Sequence, residues 1–548
     1  MTHTADWWRD AVIYQVYPRS FADASGDGMG DLAGLRARLP YIRDLGVDAI
    51  WINPWYPSPM ADAGYDVADY RSVDPVFGTL AEAEDLIAAA HEHGLRVLLD
   101  IVPNHTSSEH PWFLAALAAG PGSAERERYI FRPGQGDGSA PPNDWESVFG
   151  GSAWTRVTEP DGRPGEWYLH LFDVEQPDLN WGRDVHEEFE SILRYWFDRG
   201  VDGFRIDVAN ALFKHPDLPD LAERGPHPTD DPDVEEHPFW DRDMVHEVYR
   251  EWRKVADSYA QPRVFVAEAW VHSPERLARY VRPEHLHSAF NFDFLLTPWR
   301  AHLLRESIDE AVAAMEAVEA QPTWVLSNHD VVRLVSRLGV RQPEHRGWPA
   351  LNVEDVRDAD LELGTRRARA AALLMLALPG GAYVYQGEEL GLWEVQDIPD
   401  ELLQDPTWRR SGRTRRGRDG ARVPIPWSSR GPSLGFGPAD GAAPWLPQPA
   451  AWADLAVDVQ LGSPGSVLEL YRAALRTRRA HPGLGSGRLT WRQAPAGTLM
   501  FERDHGILVV ANVEADAMTL PPHRQVLLAS GAVEDGSVHR DVTVWLQR

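Results

Sequence analysis

The stretch "VDGFRIDVAN" (residues 201–210) reads as a short buried strand, yet it carries Arg205 and Asp207 two residues apart. Side chains at i and i+2 of a strand point to the same face. A buried strand that aims a cation and a carboxylate in one direction needs something to aim them at. The reading that accounts for both is a strand whose far end opens on a ligand pocket.

Working outward, similar apolar or β-branched runs recur along the chain: "AVIYQVYP" (11–18), "VDAIWINP" (47–54), "LRVLLDIVPN" (95–104), "RVFVAEAW" (263–270), "HSAFNFDF" (287–294), "PTWVLSNHD" (322–330) and "GGAYVYQGEE" (380–389). Amphipathic patterns such as "TLAEAEDLIAAAHEHG" (79–94) and "VHEEFESILRYWFDRG" (185–200) lie between them, each ending in Gly, a helix stop. Strand–helix alternation of this kind implies parallel βαβ units, and about eight strands predict an α/β fold of the (β/α)8 barrel type. Polar residues cluster where the runs end: Asp100, Asn104 and His105; Arg205 and Asp207; Glu268; Asn328, His329 and Asp330. In such a barrel the C-terminal ends of the strands carry the active site.

Two segments break the alternation. Residues 105–175 are loop-rich and read as an insertion after the third strand, which makes 1–104 the first part of the barrel and 176–479 the second. Residues 386–460, rich in Pro, Gly, Trp and Arg, read as an excursion after the eighth strand. From 480 to 548 the pattern becomes short strands and turns, expected to form a β-sandwich.

Composition bounds the function. At 548 residues with 43% hydrophobic and 25% charged residues, the chain has the make-up of a soluble globular protein. No apolar run approaches the roughly 20 residues that span a bilayer. A formal charge of −29 argues against nucleic acid or an anionic membrane as partner. The stretch "MTHTADWWRDAVIYQVYPRS" lacks the basic and apolar regions of a secretory signal, and the chain has no cysteine; the expected compartment is a reducing cytoplasm. Nothing in the sequence fixes an oligomeric state.

Two carboxylates flanking a glycosidic bond can hydrolyse it, and Asp207 with Glu268 is the best pair. They come from neighbouring strands, as a retaining mechanism with carboxyl groups roughly 5–5.5 Å apart requires. Arg205 is expected to keep Asp207 ionised, as suits a nucleophile. Glu268 lies among apolar residues in "VFVAEAW", where desolvation is expected to keep it protonated, as suits a general acid. Asp330 is then a third carboxylate that favours positive charge at the anomeric centre. His105 and His329 are neutral hydrogen-bonding partners for sugar hydroxyls.

"DIVPNH" (100–105), "GFRIDVAN" (203–210), "FVAEAW" (265–270) and "SNHD" (327–330), in this order, resemble the four signature regions of glycoside hydrolase family thirteen, the α-amylase family. "QPDLN" (176–180) resembles the fifth region of its α-glucosidase and oligo-1,6-glucosidase branch, and "HPDLPDL" (215–221) with "HPFWDRDMVHEVYREWRK" (237–254) resembles an actinobacterial α-glucosidase type. The resemblance implies Asp207 as nucleophile, Glu268 as acid/base and Asp330 as transition-state stabiliser. It implies Tyr65 stacked beneath the first sugar, Asp62 on the outer hydroxyls of a terminal glucose, and Phe149 and Phe172 as aromatic walls from the insertion. In "RDGARVPIPW" (418–427) it implies an arginine sent into the pocket; Arg422 is favoured over Arg418 and is expected to pair with Asp62, closing the pocket behind one glucose. Val208, next to the nucleophile, accompanies α-1,6 cleavage in many such enzymes, whereas the branch resemblance favours α-1,4 substrates.

"DASGDGMGDL" (23–32) matches the front half of an EF-hand loop: Asp23, Ser25, Asp27, the Met29 carbonyl and Asp31 as ligands to a hard cation, with Gly34 where the bidentate Glu of an EF-hand stands. Similar glucosidases hold Ca2+ or Mg2+ in such a loop. No organic cofactor is expected. The basic run "RRSGRTRRGRDGAR" (409–422) reads as a solvated loop. The resulting expectation is a retaining exo-acting α-glucosidase on short α-glucosides such as maltose, with oligo-1,6-glucosidase, glucosyl transferase or sugar isomerase as the alternatives. A non-catalytic binding subunit is disfavoured because all three carboxylates are present.

Overall fold

The structure, a computed structural model, describes residues 6–222, 224–227, 237–346 and 353–548. Eight parallel strands close into a barrel: β1 (Val12–Val16), β2 (Ala49–Ile52), β3 (Arg96–Ile101), β4 (Gly203–Ile206), β5 (Val264–Ala267), β6 (Ser288–Asn291), β7 (Thr323–Val325) and β8 (Gly381–Tyr385), with β8 pairing back onto β1. Every strand residue but Arg96 is buried, as sequence runs without polar alternation require when helices cover the outer face.

Two apolar clusters divide the strand side chains. Ile13, Trp51, Leu98, Val266, Phe290 and Tyr383 fill the barrel interior. Ile50, Ile52, Val97, Leu99, Phe204 and Ile206 face outward into the layer shared with the helices. The register places Asp100 beside Arg205 and Arg205 beside Val266, so Arg205 belongs to the inward set, in its uppermost layer. One layer below stands Gly203, where a Cβ would come within 2.5 Å of the Val264 carbonyl oxygen; only glycine fits that approach between strands.

Local signals place the helices. Thr79 and Glu82 form a reciprocal capping box at the start of Leu80–Glu92, worth about 1 kcal/mol. Arg183–Phe197 buries Phe189, Ile192, Leu193, Trp196 and Phe197 along one stripe against the barrel. Between β3 and β4, an antiparallel sheet of Phe131–Arg132, Pro164–Leu169 and Trp154–Thr158 rises over the mouth. After β8, irregular chain with the short helix Pro406–Arg410 meets the insertion through Arg409 and Arg410 before the helix Val467–Ala480 returns to the barrel wall. Two antiparallel sheets, of five and three strands, follow from Leu489 to Gln547, packed through Leu508, Val510, Met518, Val538 and Val544. Among the described residues no helix is long and apolar enough to cross a membrane.

Candidate active site

Strand β4 stops at Ile206, so Asp207 stands on the rim, and Val208 turns into the left-handed region with φ 46°. A β-branched residue held there costs on the order of 1–3 kcal/mol and persists only where its surroundings over-determine it. Here they do. The Val208 N–H donates to Glu268 Oε2 at 2.8 Å, the Ala209 N–H donates to the Glu268 carbonyl at 2.8 Å, and the Val208 side chain packs with Trp240 and Leu218. The turn locks the Asp207 rim to the Glu268 rim.

Arg205 answers the oddity of its strand. Its Nη1 donates to Asp100 Oδ1 at 2.8 Å and to Asp207 Oδ1 at 2.5 Å, while Nη2 lies 3.0 Å from Glu268 Oε2. One buried guanidinium thus straddles three carboxylates. Removing it would leave Asp100 buried and uncompensated, on the order of 3–5 kcal/mol. Asp100 also accepts from Trp51 Nε1 (3.0 Å) and the Tyr65 hydroxyl (3.1 Å).

The balance of these contacts differs from the sequence expectation at both carboxylates. Arg205 does not by itself hold Asp207 ionised. Burial pushes the Asp207 carboxyl well up, Arg205 opposes it, and Glu268, Asp100 and Asp330 add to the rise. Nor is Glu268 walled by apolar groups: besides Arg205 and the Val208 N–H, Trp270 Nε1 donates to its Oε1 at 3.0 Å. Only its immediate neighbours Ala267 and Ala269 turn away, into the layer shared with the helices.

Asp330 closes the opposite rim. Burial pushes its carboxyl up, but the neighbouring His329 and the guanidiniums of Arg418, Arg422 and Arg205 outweigh this and hold it far below the usual range. Its side chain remains 26% exposed, within reach of a ligand. His329 stacks on Tyr65 (centroids 5.3 Å apart, planes at 11°) and is fixed by Gln15 Nε2 (2.8 Å) and Asn53 Nδ2 (3.2 Å). Burial drives His329 well below its ordinary pKa and His105 down to about 4, so both imidazoles are neutral near pH 7.

The pairing expected between Asp62 and Arg422 is corrected. Arg418 makes it: Nη2 donates to Asp62 Oδ1 at 2.7 Å, Nη1 to Asp330 Oδ1 at 2.9 Å, and Nε to Asp405 Oδ2 at 2.5 Å. Arg422 is fully buried behind it, bonding Asp330 Oδ1 (2.9 Å) and the His329 carbonyl (3.0 Å). The tight turn Asp419–Ala421 separates the two arginines, and Asp405, the N-cap of Pro406–Arg410, pulls the first of them forward. Gln176 Nε2 donates to Asp62 Oδ2 (3.2 Å) and lies 3.0 Å from His105 Nε2. Phe149 and Phe172 meet edge to face at 5.8 Å; Phe149 carries the Arg418 guanidinium 5.0 Å above its ring, and Phe172 packs on His105 at 5.2 Å.

All thirteen catalytic and substrate-binding candidates therefore gather at one mouth. Sequence reasoning missed Asn53, Gln176, Asp405 and Lys214 there. Gln176 begins the quoted "QPDLN" and Asn53 ends the β2 run. Lys214, buried, ties Asp178 (2.6 Å) to Asn104 Oδ1 (2.8 Å) and so binds the fifth motif to the end of β3. The basic run is not a free solvated loop: Arg409 donates to Asp173 Oδ2 and the Ala61 carbonyl (3.0 Å each), and Arg410 to the Gly150 carbonyl (2.7 Å), clasping the excursion to the insertion.

The 23–31 loop lies apart from this mouth contact network. Asp23 accepts from the N–H groups of Gly26 (2.6 Å) and Gly28 (2.9 Å), and Asp31 from those of Ala24, Ser25 and Gly34 (3.0, 2.9 and 2.6 Å). Ser25 donates to Asp23, and Asp27 accepts from the Met29 N–H. The all-oxygen donor set has the chemistry for a hard cation. Among the described residues no three acidic or histidine groups gather to hold a metal, so a shell here would need the Ser25 hydroxyl and the Met29 carbonyl as well. A Cβ at Gly34 would fall 2.2 Å from the Ala22 carbonyl oxygen, so no twelfth-position ligand fits.

Comparison with known proteins agrees with this geometry. The family model "Alpha amylase, catalytic domain" matches residues 15–487. A probable α-glucosidase of Rhizobium meliloti is 39% identical over 537 residues, covering 94% of this chain and 90% of its own. An oligo-1,6-glucosidase of Parageobacillus thermoglucosidasius is 34% identical over 507 residues, covering 87% and 84%. Among solved structures, the α-glucosyl transfer enzyme XgtA superposes with a TM-score of 0.85 at 37% identity, covering 99% of this chain and all of that one. The trehalulose synthase MutB of Pseudomonas mesoacidophila MX-45 superposes at 0.84 with 29% identity over 98% and 99%. With its barrel, its ordered motifs and a family match across most of its length, the chain belongs to the α-amylase family of glycoside hydrolases, family thirteen.

Proposed function

We propose that the protein is a retaining, exo-acting α-glucosidase that releases terminal glucose from short α-glucosides, with α-1,4-linked maltose and malto-oligosaccharides preferred. The observation that carries this reading is the Arg418 bridge between Asp62 and Asp330, a charged wall behind the space that Asp207 and Glu268 face. A site closed there admits a chain end and excludes the interior of a polysaccharide.

The residues account for the chemistry in two steps. Glu268 gives a proton to the glycosidic oxygen as the ionised Asp207 attacks the anomeric carbon; the C–O bond breaks, the aglycone alcohol leaves, and a glucosyl ester forms on Asp207. Glu268, now ionised, takes a proton from water, whose oxygen displaces Asp207 and restores the original anomeric configuration. With Glu268 protonated, the carboxylates of Asp62, Asp100, Asp207, Asp330 and Asp405 still outnumber the guanidiniums of Arg205, Arg418 and Arg422, so the mouth favours the positive charge that develops at the anomeric centre. Tyr65, stacked on His329, supplies the sugar platform; His105, Gln176 and Asp62 supply hydroxyl partners.

The likeness to a glucosyl transfer enzyme and a trehalulose synthase favours a second reading, in which a sugar hydroxyl replaces water in the second step. The experiment is product analysis on maltose, isomaltose and sucrose with kcat/KM for each, in the native enzyme and in Val208→Thr. Glucose as main product and maltose preferred over isomaltose supports the first reading. A tenfold or greater preference for isomaltose would mean that the Val208 side chain outweighs the rest of the pocket, since a methyl-for-hydroxyl exchange is worth about 1–3 kcal/mol. The cysteine-free chain supports a reducing cytoplasm, and the alternating oxygen donors of 23–31 support a structural Ca2+ or Mg2+ as part of this proposal.

A further inference from the structure

At the end of the barrel opposite the catalytic mouth, a cavity of about 170 Å3 reaches down to the first residues of β6 and β7, Ser288 and Thr323. That is several times the ~30 Å3 share of one water molecule in the liquid. Three arginines line it, from segments far apart in sequence: Arg9 before β1, Arg253 in the helix Val245–Asp257, and Arg282 after the helix Pro274–Arg279. An imidazole, His287, and an indole, Trp8, complete one wall, with the rings edge to face at 4.8 Å.

The cations are only partly satisfied by the protein. Arg253 donates through Nε to Asp257 (2.9 Å) and through Nη1 to the His285 carbonyl (3.2 Å), leaving Nη2. Arg9 donates to the Glu319 carbonyl (3.3 Å) and stands 3.9 Å from the exposed Asp6 carboxylate, a weak surface pair. The Arg282 carbonyl accepts the His285 N–H at 2.8 Å, but its guanidinium has no hydrogen bond or ion pair among the described residues. His287 Nδ1 accepts the Phe265 N–H at 3.2 Å, so the proton of the neutral ring resides on Nε2, which is without a partner among the described residues. Burial, with Arg253 and Arg9, keeps that ring neutral. Asp6 and Glu319 are the acidic residues of the lining, so cations outnumber them on a chain of net charge −29.

A recess lined by three arginines and an N–H donor fits a compact, multiply charged oxyanion, which guanidinium forks bind with directional hydrogen bonds. We propose that this cavity binds a phosphate-type dianion, either free orthophosphate or the phosphate group of a sugar phosphate. The site is separate from the catalytic mouth, and its occupancy acts on barrel stability by mass action rather than on turnover. The proposal does not rest on the glucosidase reading.

The test uses the full-length protein at pH 7 and constant ionic strength. Thermal unfolding and calorimetry are run with orthophosphate, glucose 6-phosphate, glucose and chloride, and the 31P resonance of orthophosphate is followed on addition of native protein. Orthophosphate should raise Tm above the chloride control and its 31P line should broaden. Arg282→Ala and Arg253→Gln should each weaken phosphate binding at least tenfold while leaving kcat/KM on maltose unchanged. Glucose 6-phosphate binding tighter than orthophosphate identifies a sugar phosphate as the ligand, and the reverse identifies free phosphate. The proposal is overturned if orthophosphate acts no more strongly than chloride and its 31P line stays sharp, or if Arg282→Ala binds it as tightly as the native protein. Should either variant fail to fold, the 31P measurement on the native protein decides.

Discussion

Asp62 and Arg418, 356 residues apart in the chain, meet at 2.7 Å. Asp62 comes from the loop after β2 and Arg418 from the excursion after β8, so their contact joins two distant parts of the barrel sequence across the mouth. Arg418 extends the link to Asp330 at 2.9 Å. Truncating one partner of a buried, hydrogen-bonded charge pair costs about 2–5 kcal/mol, so Arg418→Ala should lower kcat/KM on maltose about 30-fold or more. Arg418→Lys should recover little, because a point charge cannot reach Asp62, Asp330 and Asp405 together. The native enzyme should leave the viscosity of soluble starch almost unchanged while releasing glucose; rapid thinning would contradict a closed pocket.

Glu268 receives three donors, and on the proposed mechanism it supplies the one proton that a poor leaving group needs. Glu268→Gln keeps the contacts that accept from Val208 and Arg205 on the side-chain oxygen but removes proton donation. Turnover of maltose should fall about 100-fold or more, while an activated aryl glucoside, whose leaving group departs unprotonated, should lose far less in the glucosylation step. Equal losses on both substrates would mean that Glu268 serves only to hold the rim.

The acid limb of the pH profile follows from two carboxylates. Burial, opposed by Arg418 and Arg422, leaves Asp62 at about 6, and burial leaves Asp207 well above its ordinary value. On the proposed mechanism both must be ionised, Asp62 to bind sugar hydroxyls and Asp207 to attack. Activity is therefore complete only above these raised values and is lost as pH falls through them. The acid limb of kcat/KM, which reports the free enzyme, should lie near pH 6 or above rather than near the ordinary carboxylate value of about 4. A limb at pH 4 would show that neither raised group governs binding or chemistry.

If a cation occupies the 23–31 loop, it stabilises the packing of that loop against residues 436–445, where Asp23 N–H donates to the Phe436 carbonyl and Trp445 N–H to the Gly28 carbonyl. Chelation should then lower Tm without changing the specific activity of the enzyme that stays folded. An unchanged Tm, together with no bound metal by elemental analysis, removes the site and leaves the loop held by its own amides.

The barrel was legible because each strand announces itself by an apolar run, and four of them again by polar residues where the run ends. Arg205 and Asp207 carried the most information, since no core position explains them. The arginine that closes the pocket was not legible. Arg418 and Arg422 flank one short turn, and the choice between them is made by Asp405, whose carboxylate takes the Arg418 Nε. The surroundings of Glu268 were misread for a similar reason. Its donors come from Arg205, from Trp270 and from a backbone N–H of Val208 that points at it only because Val208 is left-handed, a conformation that a β-branched residue does not advertise. Gln176 lay within a quoted motif, but its contact with Asp62 depends on how an aperiodic insertion folds back over β3.

The proposed mechanism stands on a covalent glucosyl intermediate at Asp207, on the rim it shares with Glu268. Proton NMR of the first product released from maltose or an aryl α-glucoside, recorded before mutarotation, reads whether that intermediate forms. The native enzyme should release α-glucose as the initial anomer, and Asp207→Ala should show no turnover. An initial β-glucose signal would rule the intermediate out.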